Sequence, residues 1–173
     1  MEYIFILLIA VAIWGIVIFN LLVRDKNRVL AAWSDIDVQL KRRHDLIPKL
    51  VDAVKQYASY ESSTITAVTE LRKQSEAINT AGRKGEIEKE LTARLHNLIA
   101  IAEDYPELKA SQSFLDLQRN LTEIEEFIQF ARRYYNGAVR NLNVRIQSFP
   151  DMFIAWMFGF QMAEFFEFEE TGK

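Results

Sequence analysis

The chain has 173 residues, no cysteine, few glycines and prolines, and a formal net charge of −3. These values exclude a disulfide framework, thiolate chemistry and a basic nucleic-acid-binding surface, and they disfavour a turn-rich β fold. Half of the residues are hydrophobic, enough for one compact domain with an appendage.

The appendage comes first. Ile4 to Val23 carries no charge, and fifteen of these twenty residues are Ile, Leu, Val or Phe. As a helix the run is ~30 Å long, which matches the hydrocarbon core of a bilayer. A cleaved signal peptide would open with basic residues and close on a small-x-small site. Here the start is Met1-Glu2-Tyr3, and large residues continue to Val23. The reading is a transmembrane helix over residues 1–23. Arg24, Lys26, Arg28, Lys41, Arg42 and Arg43 follow it and no Lys or Arg precedes it. The positive-inside rule then puts the N-terminus outside and the rest in the cytoplasm, a single-pass protein of the cytoplasmic membrane.

From Val23 onward the apolar period is helical. Val29, Trp33, Ile36, Leu40, Arg43, Ile47, Leu50, Val54 and Tyr57 alternate by four and three, a heptad seam broken only at Arg43. The first helix is expected to run on from the span to about Ala58, with Pro48 removing one hydrogen bond. Ile65, Val68, Leu71 and Ile78 predict a second helix from Ser62 to Thr80. The break before it is weakly marked, so one continuous helix is an alternative. Ala81-Gly82-Arg83-Lys84-Gly85 reads as a stop with two left-handed glycines. A third helix is expected from Glu86 to Asp104, with Ile87, Leu91, Leu98, Ile101 and Tyr105 on one stripe, and ends at Tyr105-Pro106. The fourth, Ser111 to Ser148, carries Phe114, Leu117, Leu121, Ile124, Ile128, Ala131, Tyr135, Ala138 and Leu142 at heptad spacing. The fold class is all-α. The N-terminal transmembrane helix continues into an antiparallel up-down-up-down four-helix bundle over 24–150, and a short apolar, then acidic, C-terminal segment covers 151–173.

No catalytic constellation emerges. His44 and His96 sit on different helices and lack a Glu three residues earlier, so they read as surface or capping residues rather than metal ligands. No cofactor motif is present, and neither an enzyme activity nor a bound metal or cofactor is expected. Arg43, on the seam, needs an acidic partner if buried. Glu61, Glu103 and Glu125 are the candidates, and Arg132, Asn136 and Asn143 extend a stripe beside Glu125 on the fourth helix. Together they form an expected polar core layer that fixes helix register, with a ligand-binding interior as the alternative.

The C-terminal segment is apolar nearly all round and includes Phe153, Trp156, Phe158, Phe160 and Phe165. At about fifteen residues it is too short to span. An even number of helices returns it to the membrane side. It is expected to pack on the basic start of the first helix, with Arg24, Lys26 and Arg28 meeting the tail acids Glu164, Glu167, Glu169 and Glu170, or on a neighbouring subunit. With Trp14, these residues form the expected membrane or oligomer contact.

Several blocks resemble the LemA family of bacterial membrane-anchored helical proteins. They are Phe19-Asn20-Leu21-Leu22-Val23, the run Ala32-Trp33-Ser34-Asp35-Ile36-Asp37-Val38-Gln39-Leu40-Lys41-Arg42-Arg43-His44-Asp45-Leu46-Ile47-Pro48, Ala102-Glu103-Asp104-Tyr105-Pro106-Glu107-Leu108-Lys109-Ala110, and Ala131-Arg132-Arg133-Tyr134-Tyr135-Asn136 with Asn143 and Phe149-Pro150. The resemblance implies a four-helix bundle behind an N-terminal span with its N-terminus outside. It implies no established catalytic activity, and it suggests scaffolding, since some relatives are linked to building internal membranes. The expected partners are the membrane, further copies of the chain and other membrane proteins, with no nucleic acid. The expected function is a membrane-anchored scaffold that self-associates or holds partners at the cytoplasmic face. The alternative is a membrane-tethered sensor or ligand-binding module using the polar core.

Overall fold

A computed structural model describes residues 1–58, 60 and 62–166. Among them are six helices and no strand: α1 (Glu2–Lys55), α2 (Ser62–Ala77), α3 (Ala81–Glu103), α4 (Pro106–Lys109), α5 (Gln112–Gln147) and α6 (Asp151–Met157). The all-α expectation holds. The long first helix is there, and it continues through Pro48. It is separate from α2, because the chain turns at residues 56–58, where the amides of Tyr57 and Ala58 both bond to the Val54 carbonyl.

One expectation is corrected. Ala81 to Gly85 is not a stop but the opening of α3. The break falls earlier, at 78–80, with Thr80 extended and its carbonyl accepting the Lys84 amide. Each helical glycine costs about 1 kcal/mol relative to alanine. Tertiary contacts outweigh that here: Ala81, Lys84 and Gly85 are buried, and Lys84 Nζ reaches Asp37 at 3.0 Å. The four-residue α4 was not anticipated; Pro106 occupies its first turn, where a missing N–H costs nothing.

The residues fall into two compact units. One comprises Asp35–Arg132 with Phe165 and Phe166. Its core takes Ile47, Leu50 and Val54 from α1, Ile65, Val68 and Leu71 from α2, Leu91, Leu95 and Leu98 from α3, Leu108 from α4, and Phe114, Leu117 and Leu121 from α5. These are largely the seam residues of the sequence, with Ala58 buried in place of the exposed Tyr57.

The other unit comprises Met1–Ser34 and Arg133–Glu164. It contains the single described helix long and apolar enough to cross a membrane. Its most apolar 18-residue window has a mean hydropathy of 2.9 and is only 11% buried. A core helix would be mostly covered, whereas Ile4 to Ile9 are all exposed. A small core of Ile18, Leu22 and Ala155, flanked by Trp14, Leu21, Ile146, Ile154 and Phe160, closes the lower part of this unit.

Candidate functional site

Arg43 projects from α1 and is 1% exposed. Its Nη2 donates to Glu88 Oε2 on α3, and its Nη1 donates to Glu125 Oε2 on α5 at 2.7 Å and to Thr92 Oγ1 at 2.7 Å. The second oxygen of Glu88 takes His44 Nε2 at 2.8 Å and the Ser75 hydroxyl from α2. One carboxylate thus joins α1, α2 and α3, and one guanidinium joins α1, α3 and α5. Burial alone would push the Glu88 carboxyl up. The His44 hydrogen bond, the charges of Arg43 and His44, and the Ser75 hydrogen bond together outweigh it and hold the group at about 2. Glu88 is therefore an anion at neutral pH, with both oxygens occupied.

The expected polar layer is only partly assembled. Arg43 and Glu125 meet as anticipated. Glu103 does not join them; it is exposed at the end of α3. Glu61 lies outside the described residues. Arg132 and Asn136 are half-buried on α5. His44, expected as a surface or capping residue, is buried and bonds to Glu88, while His96 is exposed. The principal partner, Glu88, was missed. Its signal lies in the spacing of α3: residues 84, 88, 91, 95, 98 and 102 are all buried and alternate by four and three. Following apolar type instead put Ile87 and Ile101 on the seam. Both are only half-buried.

Asn143 has a different job. Its Nδ2 donates to the Ala163 carbonyl and its Oδ1 accepts the Ala163 amide, both at 2.9 Å. Both backbone groups of Ala163 are thereby tied to α5, and the Tyr135 hydroxyl adds a bond to the Glu164 carbonyl at 2.8 Å. Burial, then the nearby Glu164 charge, raise the Tyr135 phenol to about 12, so it stays a donor. Trp33 packs against the same ring in a tilted arrangement, 5.5 Å between centroids.

Among the described residues, the C-terminal segment packs chiefly on the apolar run of α1, not on its basic start. Its partners are Trp14 to Leu22, with Phe19 against Phe158 and Phe160 at 4.8 and 5.8 Å. Arg24, Lys26 and Arg28 are exposed, and the ion pairs described for Arg24 and Arg28 are with Asp25, at 3.9 and 3.3 Å. Asp25, 3% exposed, was overlooked. It takes Arg145 Nε at 2.6 Å, and Arg145 Nη1 reaches Asp151 at 3.1 Å. The Asp25 hydrogen bond, foremost, raises the Arg145 pKa and keeps the guanidinium charged. Phe153, Trp156 and Phe158 are exposed, and Phe160 and Phe165 half-buried. Glu164 is exposed, while Glu167, Glu169 and Glu170 lie outside the described residues.

A sequence profile described as the LemA family matches residues 32–173, which include the Arg43–Glu88–Glu125 cluster, the Asn143 clamp and the C-terminal segment. The chain belongs to the LemA family. It is similar to magnetosome protein MamQ 2 of Paramagnetospirillum magneticum, at 23% identity over 89% of this chain and 66% of that protein. MamQ of Magnetospirillum gryphiswaldense matches to the same extent. Protein LemA of Metamycoplasma hominis is 28% identical over 75% of this chain and 60% of its own length. This LemA-family chain therefore spans slightly less than two thirds of these relatives. Among its described residues no three His, Cys, Asp or Glu side chains gather as metal ligands.

Proposed function

We propose that this LemA-family protein is a non-enzymatic scaffold that self-associates at the membrane, anchored by the apolar part of α1 with its N-terminus outside and its helical region in the cytoplasm. The observation that carries the reading is an exposed line on α5. Tyr134, Gly137, Asn141 and Val144 are all exposed and alternate by three and four. This is a second seam, offset by one residue and so about 100° around the helix from the one that fills the core. Gly137 is unfavourable inside a helix, and nothing lies within 4 Å of the Cβ it lacks. A second helix lying along this line would make use of that gap, since small residues admit close approach. Asn141 at a seam position would set the register.

The buried cluster supports the same reading. Glu88 has committed both oxygens within the protein, which suits a keystone between helices rather than an acid or base awaiting substrate. The test is cysteine crosslinking along α5 in native membranes. Crosslinks between Tyr134, Asn141 or Val144 positions of two copies, spaced as a seam, are the expected result. An uncrosslinked monomer in membranes would refute self-association.

One observation favours a second reading, a ligand-binding module. A cleft of about 270 Å³ opens beside Arg43, walled by Leu95, Ile99 and Leu121 and edged by Glu125 and Glu126. A small-molecule screen by thermal shift on the full chain distinguishes the two, since only this reading expects a stabilising ligand that Glu125→Gln abolishes.

A further inference from the structure

The hydrophobic exterior of the C-terminal segment sits at a defined depth along α1. Ile154 Cδ1 lies 3.7 Å from the position a Cβ on Gly15 would occupy. Phe158 and Phe160 contact Phe19, and Ala155 packs with Ile18 and Leu22. Gly15 is ~12 Å of helix inside Val23, the last residue of the apolar run. Half of a bilayer's hydrocarbon core is ~15 Å. The segment therefore rises into the near half of the core and stops short of its middle.

The chain is built to enter and leave at this level. Asp151, at the start of α6, is tied through Arg145 to Asp25, two residues beyond the apolar run. Gly159 adopts φ +67°, in the left-handed region, and the Phe160 amide returns to the Ala155 carbonyl. The returning chain is then held on α5 by Asn143 and Tyr135. A reversal inside hydrocarbon is tolerated only where its backbone is satisfied, and the described bonds at Phe158, Gly159 and Phe160 do that for the amides at the turn.

The outer face of this hairpin is apolar and bare. Phe153 is 55% exposed, Trp156 83% and Met157 65%. Such a cluster facing water would be a liability. Ile13, Ile16 and Val17 of α1, at the same level, are exposed as well. We propose that α6 and its turn form a wedge embedded in the acyl chains of the leaflet nearest the helical region, so that the protein occupies more area in that leaflet than in the opposite one. The occupant of the bare face is lipid, not a second copy of the chain. This inference rests on the reading of α1 as a membrane span.

The protein offers a direct test, because it contains three tryptophans: Trp14, Trp33 and Trp156. Full-length single-tryptophan variants are reconstituted in phosphatidylcholine vesicles whose acyl chains carry bromine near mid-chain, a short-range quencher. Trp156 alone (Trp14→Phe, Trp33→Phe) should lose emission to an extent comparable with a span reporter, Val11→Trp, in a background of Trp14→Phe, Trp33→Phe and Trp156→Phe. Trp33 alone, ten residues beyond Val23, should be unaffected. An unquenched Trp156 beside a quenched Val11→Trp overturns the wedge and leaves the span standing, and points to water or protein over the face. If Val11→Trp is unquenched as well, the span reading itself fails and the wedge with it.

Discussion

Arg43 and Glu88 form an ion pair in which both side chains are almost wholly buried, at 1% and 3% exposure. Two charges removed from water cost several kcal/mol each and are recovered only through close pairing. Breaking the pair from one side leaves the other charge uncompensated. Arg43→Ala should therefore destabilise the full-length protein by about 3–5 kcal/mol. Arg42 is exposed and bonds only to Gln39 among the described contacts, so Arg42→Ala should cost no more than about 0.5 kcal/mol. Thermal melts in detergent, followed by circular dichroism, would separate the two. Equal small shifts would contradict the buried pair.

The same cluster gives stability a defined dependence on acid. The folded Glu88 carboxyl titrates at about 2, below its ordinary 4.5. The unfolded chain therefore binds this proton more readily, and stability rises with pH across that interval. The contribution is fully present above about 4.5 and is lost as pH falls toward about 2. The shift corresponds to about 3 kcal/mol. Glu88→Gln should be less stable than the parent at neutral pH, and the difference should shrink as pH is lowered through this window. A difference that stays constant from pH 5 to 2.5 would mean that Glu88 is not held ionised by its neighbours.

Asn143 and Ala163 exchange two hydrogen bonds, so one side chain fixes the return of the C-terminal segment. Asn143→Ala should release that strap at a local cost of about 1 kcal/mol, since half-buried backbone groups lose their partners. Hydrogen exchange at the Ala163 amide should accelerate, while the cluster around Arg43 is unaffected. Unchanged protection at Ala163 would show that other contacts suffice.

What the sequence displayed clearly was period. The α1 and α5 seams predict the core residues Ile47, Leu50, Val54, Phe114, Leu117 and Leu121, and a seam position marks Arg43 as the buried cation. What it concealed was any feature that depends on one helix's rotation against another. Ile87 looks like a core residue and Glu88 like a surface one, yet a rotation of one position reverses them, and the decision comes from Arg43 and His44 across the interior. The glycines at 82 and 85 looked like a stop because their propensity is local, whereas the contacts that keep them helical are not. Asn143 was visible as a polar residue beside a seam, but its partner is backbone twenty residues away, and backbone leaves no pattern in sequence.

The orientation at the membrane can be tested with the absence of cysteine as an aid. Ser113 is exposed near the start of α5. A cysteine placed there should be shielded from a membrane-impermeant thiol reagent in intact cells and labelled after lysis, if the basic residues after Val23 hold that side in the cytoplasm. Labelling in intact cells would reverse the orientation.

Gly137 separates folding from association. In a helix exposed to solvent, Gly137→Ala should stabilise the individual chain by about 1 kcal/mol, because alanine restricts the unfolded backbone and adds no clash. Gly137→Leu gains similar helix propensity in the single chain, where the added side chain meets open space. Between two copies, the leucine would hold the backbones apart at the point where the seam is narrowest. The expected result is a protein that melts no lower than the parent in dilute detergent, yet is already dissociated at protein concentrations where the parent remains associated. Tyr134→Ala, one turn away on the same line, should also weaken association, while Arg140→Ala, exposed off the line, should not. Sedimentation equilibrium in density-matched detergent reads this directly. If Gly137→Leu and the parent share one oligomer size across the concentration range, the α5 line is not an assembly face, and self-association loses the observation on which it stands.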